Sequence, residues 1–575
     1  MLKTVEHKAE LCIIGGGLAG MGAAIEAAKH GIKTILMHER PVLGGNASSE
    51  IRMWICGTWG YMETGLVEEL RQENIFRNPN GNYSVWDLLL YEKVRFQENL
   101  TLLLNCSCMD AEMDGNSIKA VKGWQMTTQQ FHRIEADFFA DCSGDSILAP
   151  LTGAAFRLGR ESKDEFNESM APEKADKCTM GLSCLMQTRE MMTPQKFTPP
   201  AWANSYPDDT PLENRYHLMG PLQNFWYLEL GGDRDSITDT ETLRDELLKT
   251  AVGVWDHIKN HGDHGAENWA IDWIGFLPGK RESRRYEGDY IMTQEDILTG
   301  RRFPDTVAYG GWPLDDHYPA GFLHRGIPNT HEYPERPYGI PLRSLYSRNI
   351  DNLFFAGRNI SVSHMALSST RVMATCMLLG QAVGAAAVSC IRHKVTPRQA
   401  AELYISEIQQ RLMEDDCTLP GLERERPLLT QKAKLAVSSG DGEKLRTGAD
   451  RDDDFWTARA GDWAEYDFIS AENIREIRVI FDTNLERKGD VGRNLPAAYP
   501  LNRQVPETTE KTIAGFTLLA DGKVIYQTDE QHLRCFRLPL DITARKIRLQ
   551  IDRPRAESGK IFAFDVTGNE KIINR

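Results

Sequence analysis

The chain predicts a parallel α/β domain, interrupted by an inserted α+β region and followed by an all-β sandwich. Three observations carry this. Residues 9–46, AELCIIGGGLAGMGAAIEAAKHGIKTILMHERPVLGGN, read as strand, glycine turn, helix, strand and second glycine turn. Two further apolar strands run into glycine turns far downstream, at Asp141–Asp145 and Phe354–Arg358. From about residue 431 the pattern changes to short alternating strands separated by turns.

The first unit is the most specific. Leu11–Ile14 is a short apolar run suited to a buried parallel strand. Gly15-x-Gly17-x-x-Gly20 follows at once. The first glycine permits the tight turn, the second lets the backbone approach a pyrophosphate, and the third lets helix and strand pack closely. Leu18 and Ala19 open a helix whose free N–H groups and positive dipole end would face that phosphate. The helix closes at His30-Gly31, where glycine suits the left-handed position. The strand Lys33–His38 then delivers Glu39, 39 − 20 = 19 residues after the last glycine. A carboxylate there accepts hydrogen bonds from both hydroxyls of an adenosine ribose. A lone GxGxxG would be weak; strand, turn, helix, strand and acid in register predict a Rossmann-like dinucleotide-binding fold. Arg40 follows, and Gly44-Gly45-Asn46 suits a loop passing close to a second phosphate.

Arg52, in SSEIRMWICG, lies on the same excursion. It reads equally as a group reaching the cofactor centre and as a salt-bridged loop arginine. Residues 64–100 are expected to be largely helical. Thr101–Asp141 alternates in strand fashion, with Asp114-Gly115-Asn116 as a hairpin turn. From about 151 to 345 the pattern loses regularity, with ETLRDELLKTAVGVWDHIKNH as a helical patch. Trp202, Trp226, Trp255, Trp269, Trp273 and Trp312 fall here, as stacking platforms for a flat ligand or as core. The run Gly279–Arg285, GKRESRR, is a basic cluster that either holds an anion or pairs with neighbouring acids. NLFFAGR is again strand then glycine, and a long helix from Thr370 to about Ile391 follows, rich in small residues that allow close packing. His364 and Arg371 bracket its start. Thr396-Pro397 opens a further helix, and TLPGLERERP reads as a linker. Beyond it, REIRVIFD, AGFTLLAD, KVIYQT, LRCFRLPL, KIRLQID and IFAFDV are expected strands, with a long polar loop at 483–511.

A chain of 575 residues exceeds one core. The net charge of −15 argues against nucleic acid or an anionic membrane as partner. No apolar run reaches the roughly 18 residues of a membrane span. MLKTVEHKAE has no hydrophobic leader, so a cytoplasmic location is expected. Eleven cysteines, scattered and without a CxxC pair, read as reduced thiols. No metal-ligand cluster with recognisable spacing is visible, and no metal is expected. Gly231-Gly232 and Gly310-Gly311 lack a strand–helix frame, so no second dinucleotide site for a nicotinamide is expected.

Together, GGGLAG, the Glu39 tip, LGGN, DCSGD, GKRESRR and NLFFAGRNISVSH…SSTRVMATCMLLGQAVGAAA resemble the FAD-dependent oxidoreductases of the glutathione-reductase-2 type, related in fold to fumarate reductases and aspartate oxidase. The matches spread over most of residues 9–392. The C-terminal part, with FWTARAGDWAEYDF, resembles a discoidin or galactose-binding-type jelly roll. The resemblance implies non-covalent FAD in an extended pose. Gly15, Gly17, Leu18, Ala19 and Gly20 would hold its diphosphate, and Glu39 with Arg40 its adenosine ribose. Gly45 and Asn46 would lie near the diphosphate or flavin, Asp145 near the ribityl side, and Gly357 and Arg358 on the returning strand. It further implies an FAD-binding domain at 1–155 and 346–395, a substrate or cap region at 156–345, a helix and linker at 396–430, and a galactose-binding-like sandwich at 431–575.

In fumarate-reductase-like relatives a histidine and an arginine near the last helix start handle the substrate, and His364 and Arg371 occupy comparable positions. Their spacing departs from the relatives', and Val372-Met373-Ala374 replaces a glycine-rich run, which speaks against a dicarboxylate. The expected function is dehydrogenation of a hydroxyl-bearing carbon of a carbohydrate-like substrate, with His364 as base and Arg371 and Arg52 orienting the substrate. The alternatives are reduction of a carbon–carbon double bond, and carbohydrate binding with a structural flavin. The expected partners are a small molecule and an unidentified electron donor or acceptor, with a homo-oligomer left open.

Overall fold

The computed structural model describes residues 2–59, 63–220, 223–485, 498–499 and 512–569. It divides into two compact units, Met1–Trp59 with Asn80–Ile405 and Ala497–Arg503, and Gly60–Pro79 with Ser406–Pro496 and Gln504–Arg575.

The first unit is built on a sheet whose parallel part runs Leu100–Leu103, Thr34–Met37, Thr4–Ile14, Gln130–Asp141 and Leu353–Phe355. Leu11, Cys12 and Ile13 are fully buried, as a run covered on both faces must be. The strand Gln130–Asp141 changes partner along its length. Its first half takes the hairpin strand Ser117–Gln125 antiparallel, and its last three residues take Leu353–Phe355 parallel. The hairpin turn at Gly115-Asn116 lies where the sequence places it.

Two helices cover this sheet, Leu18–Lys29 and Met373–His393, and they touch backbone to backbone. A Cβ on Gly380 would stand 1.9 Å from Ala19 O, and one on Gly22 would stand 2.7 Å from Met377 O. Gly22 in the first helix and the small residues noted in the second are therefore what brings the helices this close. Met373–His393 is also long and apolar enough to cross a membrane by composition, but 94% of its most apolar window is buried inside the protein. The lack of an unbroken apolar run in the sequence therefore hides a helix with span-like composition.

The inserted region has its own core. The helix Thr240–Asn260, as expected from its periodicity, packs Leu247, Val254 and Trp255 against Leu182, Met186, Phe225 and Phe322. Short strand pairs frame it, among them Leu182–Ser183 with Gly279–Lys280 and Leu314–His317 with Asn329–Glu332.

The second unit is all-antiparallel in its sheet, around Trp456, Tyr466, Phe481, Phe516, Ile547 and Phe564. Segments read as separate strands are continuous here. REIRVIFD belongs to Trp463–Phe481, and LRCFRLPL with KIRLQID forms Cys535–Pro554. Register shifts at Asp467/Glu472 and Ile474/Glu476 let both long strands change partners without a turn. The unit also differs from the expected boundaries, beginning at Ser406 rather than 431 and taking in Gly60–Pro79 from within the expected 1–155 segment. The reason lies in the charged face of the helix Leu66–Arg77. Buried Glu68 accepts from Thr483 Oγ1 at 2.6 Å and pairs with Arg451 and Arg534, all in this unit. Most of the polar loop expected at 483–511 lies outside the described residues.

Candidate active site

Strand register builds the site. Ile14 pairs with both Met37 and Asp141, and Asp141 with Phe355, so four strands end on one line. The segments that follow, at Gly15, His38, Cys142 and Ala356, emerge at one edge of the sheet, where open α/β sheets bind ligands. A cavity of about 320 Å³ opens there. Gly15, Gly17, Leu18, Ala19, Glu39, Arg40, Gly45, Asn46, Asp145, Gly357 and Arg358 all line it. Gly20 does not, because it sits behind the turn.

The three glycines serve different neighbours. A Cβ on Gly20 would lie 1.8 Å from Gly15 O, and one on Gly15, at φ +103°, would lie 2.4 Å from Cys142 O. Both are demanded by the protein's own backbone. At Gly17 the nearest atom to an added Cβ is Gly45 Cα at 3.9 Å, so its bare backbone serves the cavity rather than the packing. The helix Leu18–Lys29 has no side-chain cap, leaving its first N–H groups for an anion. Gly16 N donates to His38 Nδ1 at 3.0 Å, and His38 Nε2 lies 3.0 Å from Val42 O, which assigns the proton to Nε2. His38, unremarked in the sequence, thus ties the glycine turn to the second strand.

Across the cavity Asp145 accepts from Lys280 Nζ at 2.7 Å, Arg358 Nη2 at 2.6 Å and Ser283 Oγ at 2.8 Å. Burial opposes its ionisation, but the charges of Arg358 and Lys280 outweigh it and hold the carboxyl below the usual range. A bare glycine backbone, an uncapped helix end and a ribose-length acid on one 320 Å³ cavity fit a dinucleotide cofactor.

A smaller cavity of about 70 Å³ shares Asn46, Ile51, Lys280, Arg358, Arg371 and Met373 with the first. Trp54, Ser183 and Arg281 complete its polar lining. Two of its cations, Arg371 and Arg281, are joined behind it by an alternating chain. Arg371 Nη2 donates to Asp315 Oδ2 at 3.1 Å, Asp315 Oδ1 lies 3.5 Å from His317 Nε2, His317 Nδ1 lies 2.6 Å from Glu229 Oε2, and Arg281 Nη1 lies 3.4 Å from the same oxygen. Burial disfavours charge on Glu229, Asp315 and His317, yet attraction to their neighbours prevails. Glu229 is pulled down to about 2, Asp315 is held well below the carboxylate range, and His317 is raised. Three cations against two anions leave a positive surplus beside the cavity. Two buried donors here, Trp54 Nε1 and Arg371 Nε, have no hydrogen-bond partner among the described residues.

The match to a family model described as FAD dependent oxidoreductase spans residues 10–412. The chain belongs to this family. It is an FAD-dependent enzyme, and the larger cavity collects the residues suited to that cofactor. A search of curated proteins finds no match. Among solved structures, the p-nitrophenol 4-monooxygenase of Pseudomonas putida DLL-E4 is 10% identical, with 72% of this chain and 86% of that one covered and a TM-score of 0.32. The glycerol-3-phosphate dehydrogenase of Bacillus halodurans complexed with FAD is 14% identical, covering 34% and 43%, with a TM-score of 0.22. The family 32 carbohydrate-binding module of C. perfringens NanJ in complex with galactose is 9% identical, covering 24% and 97%, with a TM-score of 0.18. At these scores the structural likenesses carry no weight below.

Two of the three expected catalytic residues sit elsewhere. His364 is 2% exposed and lines neither cavity. Its Nδ1 lies 2.9 Å from Glu282 Oε2 and its Nε2 3.1 Å from Asp316 Oδ1. Burial works against the imidazolium, but the two carboxylates raise it to about 10. A histidine already protonated and held on both nitrogens has no lone pair for a substrate proton, which removes the expected base. Arg52 also lines neither cavity. It stands between the rings of Tyr83 and Trp273, at 4.6 and 4.4 Å, and donates to Gln187 Oε1 at 2.9 Å. Of the three, only Arg371 lines the cavities, and it lines both.

The basic run GKRESRR resolves as internal pairing for most of its length. Lys280 meets Asp145, Glu282 meets His364 and Arg285 meets Glu161, while Arg281 reaches the smaller cavity. Glu229, Asp315, His317 and Trp54 escaped the sequence reading. One signal was present: in LDDH, Asp315 and His317 share one face of a strand and Asp316 takes the other. The first two serve the cavity chain, and Asp316 meets His364.

Proposed function

We propose that the enzyme dehydrogenates a hydroxyl-bearing carbon of a carbohydrate-like substrate that also carries an acidic group, a sugar acid in chemical class. When bound, FAD would accept the hydride from that carbon, and the hydroxyl proton would leave to solvent water, the alkoxide being stabilised by the guanidiniums named below. We further propose that it is held non-covalently, Gly17 and the helix end receiving its diphosphate and Glu39 its adenosine ribose. The observation that carries the substrate reading is the smaller cavity. Among its described lining residues the charged side chains are Lys280, Arg281, Arg358 and Arg371, all cationic, within a chain of net charge −15. Lys280 and Arg358 share the single carboxylate of Asp145, and Arg281 and Arg371 belong to the chain of three cations and two anions, so each group leaves a positive surplus. Arg371 and Arg281 bind the substrate's carboxylate or stabilise its developing alkoxide, with Trp54 Nε1 as a further donor. Asp315, His317 and Glu229 fix the two guanidiniums in place. His364 acts as a buried brace for the strand Leu314–His317 through Asp316.

The absence of a carboxylate or histidine among the smaller cavity's described lining favours a second reading, reduction of an activated carbon–carbon double bond with Arg371 as proton donor. The test is anaerobic. The purified protein is mixed with sugar acids and with neutral sugars, and the visible flavin band is followed. Bleaching by sugar acids, lost in Arg281→Gln with FAD retained, supports the dehydrogenase. Reoxidation of the chemically reduced protein by an enoate, with no bleaching by any sugar, replaces it with the reductase.

A further inference from the structure

Outside the flavin site, the inserted region brings Asp209, His217, His257 and His264 together, with one ligand-type atom from each within 4.8 Å of all the others. They come from three stretches of chain. Asp209 and His217 flank the single turn Thr210–Leu212, His257 lies in the last turn of Thr240–Asn260, and His264 follows in the next loop. The intervals of 8, 40 and 7 residues match no familiar ligand spacing, which is why the sequence showed no metal motif.

The rings are held in a ligating pose. His257 Nδ1 lies 2.8 Å from Tyr206 O and His217 Nδ1 lies 2.7 Å from Arg215 O. An Nδ1–H donating to each carbonyl turns Nε2 toward the cluster, the arrangement that orients metal-binding imidazoles. His257 Nε2 is 2.9 Å from Asp209 Oδ1, and the His264 ring centroid stands 4.8 Å from those of both His217 and His257. His264 supplies an independent sign. It is only 8% exposed, and its Nε2 has no hydrogen-bond partner among the described residues, although it lies 3.5 Å from Asp209 Oδ1. Buried polar nitrogens are rarely left so.

We propose that these four residues form a structural site for a divalent transition metal of the zinc type. Three imidazoles and one carboxylate are the borderline donor set such ions take, and four protein ligands leave no open position for catalysis. The ion ties the 206–217 segment to the end of the long helix. The site is independent of the substrate reading above.

The 575-residue chain with its flavin retained is treated with chelator, then titrated with Co²⁺ alone, and difference spectra are read beyond the flavin band. Equimolar uptake with tetrahedral ligand-field bands, displaced by Zn²⁺, is expected, together with a higher Tm in Zn²⁺. His264→Ala loses affinity by more than about 100-fold, since even outer partners of a ligand are worth 10–100-fold. Because His264 is buried, His217→Ala on the half-exposed loop is measured alongside, with flavin content as the check on folding. Uptake without tetrahedral bands, or equal uptake by the wild type and both variants, overturns the assignment.

Discussion

Replacing Gly17 and Gly20 separately by alanine distinguishes a glycine kept for the cofactor from one kept for the fold. At Gly20 the new methyl lies 1.8 Å from Gly15 O, a backbone atom, and must retreat by 3.0 − 1.8 = 1.2 Å to reach the closest tolerable contact. Overpacking against backbone of this kind costs at the upper end of the usual range, about 3 kcal/mol or more. At Gly17 the backbone is extended, φ −66° and ψ 177°, which alanine adopts freely. Loss of a favourable helix N-cap residue costs roughly 0.5 kcal/mol. Reduced freedom of the unfolded chain returns about 0.4–1 kcal/mol. The net effect on the apo fold is within about 0.5 kcal/mol of zero, yet the methyl faces the space expected to hold a diphosphate. The assay pairs Tm of the flavin-stripped protein with FAD retention after gel filtration. The transition of the first unit, which holds both glycines, is the one compared, because a chain of two compact units has no single unfolding free energy or Tm. Gly17→Ala is expected to keep its apo Tm and lose FAD affinity by more than about 10-fold, 1.4 kcal/mol. Gly20→Ala is expected to lower Tm severely. A Gly17→Ala protein that retains FAD like the wild type refutes the reasoning.

Other expectations follow from the same structure. His364 is raised in the fold from 6.5 to about 10, so its stabilising charge is fully present below pH 6.5 and is lost as pH climbs through 10. Tm should fall across that window in the wild type and less in His364→Gln, compared by scanning calorimetry. Arg52→Ala should lower Tm by the loss of two cation–π contacts, about 1–2 kcal/mol together, while FAD content and substrate KM stay unchanged; a large KM change would return Arg52 to the active site. Glu229→Gln removes one anion between Arg281 and His317 and should raise KM for an anionic substrate in steady-state assays while FAD affinity holds. In the second unit, Asp450→Asn takes a carboxylate from between buried Arg424 and Arg478 and should destabilise that unit by about 3–5 kcal/mol, read as an earlier transition in thermal unfolding.

The parts legible in the sequence are those governed by local rules. Gly15, Gly17, Glu39 and the second glycine loop follow from a strand–turn–helix register that short-range geometry dictates, and the structure assembles them on one cavity. The helix start at Thr396-Pro397 and the helix Thr240–Asn260 are legible for the same reason. What failed depends on long-range partners. Nothing near His364 in sequence says that Glu282 and Asp316 enclose it, and nothing near Arg52 names Trp273, more than two hundred residues away. The helix Leu66–Arg77 carries too weak an amphipathic pattern to show which unit its Glu68 serves. The long strand Cys535–Pro554 was read as two, LRCFRLPL and KIRLQID, with a turn between them, where the chain instead slips register and continues.

The partner exchange along Gln130–Asp141 sets an order of events during synthesis. Its last residues, Phe139–Asp141, wait for Leu353–Phe355, which leave the ribosome 353 − 141 = 212 residues later. At roughly 5–20 residues per second that is an interval of about 10–40 s. Throughout it the nascent chain has a hairpin-paired, half-finished sheet whose parallel edge stands open at the place where the cofactor cradle must close. The flavin site therefore cannot be completed by the N-terminal segment alone, however complete its glycine motif, and a chain stalled before residue 353 presents that apolar edge to chaperones or to another unfinished copy.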